Sequence, residues 1–256
     1  MNKTTRMTLI LGGLLAGGAL SAQTTLLSED FSGGTGDLNG TNSDANSITW
    51  NAASAFKANG DVNPNETDGT SGSALLDFTP QQGEIYDLTA SFSVDFTGDS
   101  LGWIAFGFAQ QDDSTGDFTE APPVGLGWIR IREGETSGGD DGGFTVSAFG
   151  AQTTNFSSGG ATDFRVRLDA TAQDSSDWTV EGFFNGTSIT GSAEKIASNG
   201  NLGNVSVAGL SRNGNSGVTG SFSSFELTEV PEPAHAALAA GVAVVIMAGV
   251  LRRRRG

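Results

Sequence analysis

The sequence predicts an all-β fold, a two-sheet antiparallel jelly-roll sandwich, on three observations. Apolar and polar residues alternate at period two over short runs. The gaps between those runs are filled by Gly, Ser, Thr, Asn and Asp, the residues of turns. Before the C-terminal tail no segment combines helical periodicity with caps.

The elements follow in order of clarity. Leu88, Ala90, Phe92, Val94 and Phe96 share one face of a strand, opposite Thr89, Ser91, Ser93 and Asp95. Ile104, Phe106 and Phe108 are spaced by Ala105 and Gly107. Phe164, Val166 and Leu168 alternate with Arg165, Arg167 and Asp169. Trp178, Val180, Gly182 and Phe184 alternate with Thr179, Glu181 and Phe183. Such stripes bury one face and wet the other. Further strands are expected over 26–31, 47–52, 74–78, 124–132, 144–149, 205–210 and 218–229. Asn185-Gly186 is a hairpin signal, because both residues accept positive φ. The polar stretches 110–123 and 134–143 read as long loops. About a dozen antiparallel strands in one domain suit two packed sheets, which limit exposed edges.

Composition narrows the chemistry. Residues 23–230 hold 28 acidic against 7 basic side chains, a net charge of −21. That excess argues against nucleic-acid partners, which need basic neutralisation, and against anionic lipid. It suits solubility or divalent cations. Cysteine is absent and the one histidine, His235, lies in the tail. Thiol catalysis, imidazole catalysis and His or Cys metal sites are therefore excluded from the domain.

The two ends carry an address. Lys3 and Arg6 precede an apolar run from Leu9 to Leu20, and Ser21 and Ala22 offer small residues for cleavage, so 1–22 reads as a signal peptide. At the other end Pro231-Glu232-Pro233 precedes 18 residues without charge, Ala234 to Leu251 (with His235 neutral), and then Arg252, Arg253, Arg254 and Arg255. As a helix that run covers ~27 Å, enough to span a hydrocarbon core. The arginines stop it on the cytoplasmic side and leave the bulk outside. The domain then occupies 23–229 and the sorting segment 230–256.

This tail resembles the PEP-CTERM sorting signal of Gram-negative bacteria. The resemblance covers 230–256, with motif, span and arginine cluster in order. It implies recognition of Pro231, Glu232 and Pro233 by a membrane enzyme of the exosortase type. It also implies transient anchoring in the inner membrane by the C-terminal helix, and a final place at the cell envelope or outside the cell.

A second resemblance spans about 25–228. Glu29-Asp30-Phe31-Ser32-Gly33, Leu38-Asn39-Gly40-Thr41 and Trp50 are similar to the opening of concanavalin A-like lectin/glucanase (laminin G-like) domains. Gly83 to Ala90, Gly102 to Ala109 and Trp178…Phe183-Phe184-Asn185-Gly186 add to it. It implies a sandwich of two curved sheets, whose members bind sugars, bind proteins or hydrolyse glycans.

Three constellations are candidates for function. The glucanases of this fold carry a Glu-x-Asp-x-x-Glu type strand. No such motif is present, since Glu84-Ile85-Tyr86-Asp87 has another spacing and Glu133-Gly134-Glu135 runs into glycines, so a non-enzyme is expected. Asp112, Asp113 and Asp117 share one loop and offer hard oxygen ligands to Ca²⁺, although no cofactor is required. Trp50, Trp103, Trp128 and Trp178 are the large aromatic platforms, and such side chains in strands usually fill the core. Trp128 beside Arg130, in a strand flanked by both acidic loops, is the ligand-binding candidate. The expected role is a module that binds extracellular polysaccharide or another matrix component. The alternatives are a structural matrix protein without a specific ligand, and a glycan-degrading enzyme.

Overall fold

Strand β5 (Ile85–Phe96) shows how alternation becomes architecture. Leu88, Ala90 and Phe92 are buried, while Thr89, Ser91 and Ser93 lie on the other side. The same rule repeats through a computed structural model that describes residues 23–62, 71–96, 103–110, 124–133, 143–148, 152–157, 162–190, 192–193, 201–213 and 218–230. The expected signal peptide, the sorting segment beyond Val230, and Asp112, Asp113 and Asp117 lie outside the described residues.

Among the described residues two seven-stranded antiparallel sheets form. The first runs β1 (Thr24–Glu29), β14 (Val218–Val230), β5, β10 (Thr162–Asp169), β11 (Thr179–Phe184) and β12 (Thr187–Ser188), with β3 (Asp61–Val62) also paired to β14. The second runs β2 (Asn51–Ala52), β4 (Ser71–Asp77), β13 (Val207–Asn213), β6 (Trp103–Gln110), β7 (Val124–Glu133), β8 (Gly143–Ala148) and β9 (Gln152–Ser157). This is the jelly-roll sandwich that the alternation predicts. Both sheets send side chains into one core, including Leu88, Phe92, Phe164, Val166 and Phe225 from the first and Leu76, Phe106, Phe108, Ile129 and Leu210 from the second.

Most expected strands appear, and the differences have local causes. The expected strand over 47–52 shrinks to Asn51–Ala52, because Asn46 and Ser47 take positive φ (61° and 52°) and break the extended run. Strand β11 begins at Thr179 rather than Trp178. A short 3-10 turn, Ser175–Asp177, precedes it, capped by the Asp174 carboxylate accepting from the Ser176 N–H. Strand β9, Gln-Thr-Thr-Asn-Phe-Ser, is too polar to show a stripe, yet pairs antiparallel with β8 at the end of its sheet. The pairing runs in register from Gln152 to Ser157. Asn185 (φ 46°) and Gly186 (φ 77°) form the expected hairpin turn between β11 and β12.

Gly60 joins a tight turn to the sheet. Its φ is +82°, its carbonyl accepts from the Phe222 N–H, and a Cβ there would meet the Phe222 carbonyl oxygen. Gly60→Ala therefore faces both a left-handed backbone and a backbone clash. The expected cost is about 2 kcal/mol or more, hence a melting temperature lower by at least ~4 °C for a domain of this size. An unchanged melting curve would show that the turn relaxes freely.

Candidate functional site

Period-two alternation gives each sheet an outward face, and the two faces differ. On the second sheet Ile104, Phe106 and Phe108 enter the core while Trp103, Ala105 and Ala109 do not. Likewise Ile129 and Ile131 enter it and Trp128 does not. Trp103, Trp128, Leu75, Ala105, Ala109 and Val207 form a separate apolar cluster on the side away from the core. Ladder pairing sets Ala105 opposite Arg130 and Gly107 opposite Trp128, which brings the arginine between the two indoles. The Arg130 guanidinium lies 5.4 Å from the centre of the Trp128 ring and 5.9 Å from that of Trp103. Both distances are those of cation–π contacts.

The four tryptophans thus divide evenly. Trp50 (1 % exposed) belongs to the core and donates from Nε1 to Glu29 Oε2 at 3.0 Å. Trp178 belongs there too, as its register predicts, and donates to the Ala172 carbonyl at 2.9 Å. Trp103 and Trp128 stand on the other side of their sheet, where they too are buried, in the second apolar cluster. Trp128 is 7 % exposed, so most of its ring is covered. The structure brings Trp128 and Arg130 together as a pair and adds Trp103, which sequence reading left among the platforms. The signal for Trp103 was its period-two offset from Ile104, Phe106 and Phe108.

Small residues floor this region. Ala105, Gly107 and Ala109 of β6 adjoin Gly209 and Ser211 of β13. Ser73 and Ser211, both fully buried, share a hydroxyl hydrogen bond of 3.1 Å. A Cβ on Gly209 would meet the Ala74 carbonyl oxygen, so the strands approach too closely there for any side chain.

The first sheet's outward face is polar. Asp87, only 5 % exposed, accepts from Arg167 Nε at 2.8 Å and from Arg167 Nη2 at 2.7 Å. That fork holds the Arg167 guanidinium more basic than usual, chiefly through the hydrogen bond to Asp87. Both oxygens of this carboxylate are thus committed to an ion pair within the sheet. Of the acidic pair weighed in the sequence, Glu84 and Asp87, the second is therefore structural.

One group of carboxylates has metal-like spacing. Ligand oxygens of Glu29, Asp30 and Asp44 lie within 4.8 Å of one another. Asp44 Oδ2 accepts from the Asp30 N–H at 2.9 Å, and Asp30 Oδ1 accepts from the Ser32 N–H at 2.9 Å. Glu29 is buried and accepts from Trp50 and from the Phe31 N–H at 3.2 Å. Phe31 adopts a left-handed backbone (φ 51°), unusual for a bulky residue, which aims its N–H at Glu29. These hard oxygens match Ca²⁺ chemistry in kind. They are not the residues expected from sequence, and the trio joins β1 to the loop at Asp44, a proximity no spacing displays.

Burial raises the Glu29 pKa above the ordinary carboxylate value, and the Asp44 and Asp30 charges add to the rise, against the lowering by the Trp50 and Phe31 hydrogen bonds. The folded chain then holds this proton to higher pH than the unfolded chain does. Its contribution to stability is full at low pH and is lost as pH rises through the raised folded pKa. In EGTA, wild type should gain stability relative to Glu29→Gln as pH falls from ~7 to ~4. Melting curves of both proteins across that range test it, and a pH-independent gap between them refutes it.

No family model and no curated protein sequence matches the chain. Solved structures similar to it include the Emp47p carbohydrate recognition domain, at 13 % identity, with 81 % of this chain and 96 % of that one covered and a TM-score of 0.49. A lectin from Bauhinia forficata in complex with GalNAc is similar at 11 % identity over 81 % and 98 %, with a TM-score of 0.48. The endo-1,3-beta-glucanase from Streptomyces sioyaensis is similar at 14 % identity over 83 % and 98 %, with a TM-score of 0.47. These likenesses concern the strand arrangement alone and span both binding proteins and an enzyme.

Proposed function

We propose that this chain is an exported, non-catalytic module that binds polysaccharide or another matrix component at the cell envelope or outside the cell. The observation that carries the reading is the Trp103–Arg130–Trp128 cluster on the face of the second sheet turned away from the core. The cluster is largely covered, with Trp103 5 % and Trp128 7 % exposed, so a ligand would meet it chiefly through the half-buried Arg130 and the accessible margins of the indoles. Indole edges offer apolar contact to the C–H face of a sugar ring, and a neighbouring guanidinium donates hydrogen bonds to its hydroxyls. Trp128 and Arg130 are the ligand contacts, and Arg130 also holds the indoles in place.

Delivery rests on the two ends of the sequence. The head from Lys3 to Ala22 directs export, and Pro231-Glu232-Pro233 with the span and arginines behind it is the substrate of an exosortase-type enzyme. Among the described residues no helix is long and apolar enough to cross a membrane, and the tail lies outside them. A second reading, a structural matrix protein without a specific ligand, draws support from the net charge of −21 over 23–230. Divalent ions would then link its acidic surface to the matrix.

On a glycan array the full chain should bind at least one polysaccharide saturably, and Trp128→Ala should weaken that binding about tenfold or more. Absence of binding to every glycan discards the module and leaves the structural reading. Ca²⁺ has its own measurement. If Glu29, Asp30 and Asp44 hold the ion, the melting temperature should fall in EGTA and recover with added Ca²⁺. Identical melting in both conditions removes calcium from this trio.

A further inference from the structure

The first sheet carries a recess of about 330 Å³ on its own outward face, remote from the tryptophan cluster. Thr89 and Ser91 of β5, Asp163 and Arg165 of β10, and Phe183 of β11 line it. Strand register explains why they converge. Thr89 pairs with Arg165 and Arg165 with Phe183, while Ser91 pairs with Asp163 in the next row. Since Ala90 and Phe164 enter the core, all five must point outward.

Phe183 is out of place on such a face. Its neighbours along β11, Thr179 and Glu181, are polar, and an apolar ring there gains nothing from the core. Arg165 covers one side of the ring, with its guanidinium carbon 3.9 Å from the ring centre. The same guanidinium reaches Asp87 Oδ2 only at 3.5 Å, because Arg167 already holds both oxygens of that carboxylate at 2.7–2.8 Å. Arg165 is thus positioned by stacking and a long contact, and most of its five donors remain for a ligand. Two residues along β10 from Arg165, Asp163 accepts the Ser91 hydroxyl at 2.7 Å and keeps acceptor capacity on its carboxylate.

We infer that this recess is a second carbohydrate site, which takes one neutral hexose unit of a polysaccharide chain. A fixed donor (Arg165), a fixed acceptor (Asp163), hydroxyls and a ring edge are the complement of a pyranose with vicinal hydroxyls and an apolar face. The volume lies at the small end of ligand pockets, which fits a single ring. Charge selects the neutral sugar over an acidic one. Asp87, Asp163, Glu181 and Glu226 surround the two arginines on this face, so a uronate carboxylate would meet net negative charge.

The consequence is a bivalent molecule. The two outward faces of a sandwich look in opposite directions, so one chain can hold two glycan strands at once. Such a protein joins matrix polymers and does not merely adhere to one. The recess does not depend on the tryptophan cluster, and its test separates the two.

The experiment is affinity electrophoresis of the full chain in gels containing dextran, laminarin, galactomannan or alginate. Phe183→Ala, Phe183→Tyr, Asp163→Asn, Trp128→Ala and the Phe183→Ala/Trp128→Ala double variant are run alongside, with melting curves as the folding control. At least one neutral polysaccharide should retard the wild type. In the Trp128→Ala background, Phe183→Ala should abolish the remaining retardation, a loss of about tenfold or more in affinity. Phe183→Tyr, which keeps the ring, should restore it. Retardation insensitive to both Phe183→Ala and Asp163→Asn overturns the recess and leaves the tryptophan site standing. Loss through Trp128→Ala alone does the same. Retardation only by alginate, or by nothing, also overturns it.

Discussion

Phe92 is the contact on which the sandwich depends. Its ring lies 4.9 Å from Phe164 and 4.9 Å from Phe222 within the first sheet, and 6.3 Å from Phe106 across the core in the second. These distances are those of favourable aromatic pairs, and each ring removes a large apolar area from water. One side chain thus ties β5, β10 and β14 to β6. Once Phe92 points inward, alternation fixes the direction of every other residue on its strand, and the ladder carries that choice to the neighbours. The outward placement of Ser91 and Thr89, and through pairing of Asp163 and Arg165, follows from where Phe92 sits.

The same constraint bears on where the proposed ligand sites fall. The interior of the sandwich is closed by its own aromatics: Phe78, Tyr86 and Phe108 in one group, Phe31, Trp50, Phe222 and Phe225 in another. What varies is the pair of outward faces. One is apolar, with two indoles around an arginine. The other is polar, with an ion-paired Asp87 fork beside a recess. A rigid two-sheet scaffold holds both sets of side chains at fixed register, which lowers the ordering cost that loop-borne contacts would incur.

Buried polar groups on this scaffold are matched with care. Glu29 sits under the aromatic group with both oxygens occupied, Asp87 is held by two arginines, and Ser73 and Ser211 satisfy each other. A buried carboxylate without such partners would be costly. The pairs bridge distant parts of the chain: Glu29 with Trp50, Asp87 with Arg165 and Arg167, Ser73 with Ser211. Each adds specificity of register to what packing alone supplies.

The sequence by itself determined the fold class. Leu88-Ala90-Phe92, Ile104-Phe106-Phe108 and Phe164-Val166-Leu168 announce their strands, because period-two alternation is a local signal. Asn185-Gly186 announces its hairpin for the same reason. It also determined what the chain cannot do, since a domain without Cys or His lacks whole classes of chemistry. It singled out Trp128 and Arg130 by adjacency. Only the tertiary structure decided that Trp103 joins them, that Phe183 stacks under Arg165, and that Glu29, Asp30 and Asp44 meet. It also decided which two tryptophans fill the core. These are long-range facts: strand pairing brings together residues whose separation along the chain carries no trace of their contact, and a polar edge strand such as β9 forms by backbone bonds that no side-chain pattern records.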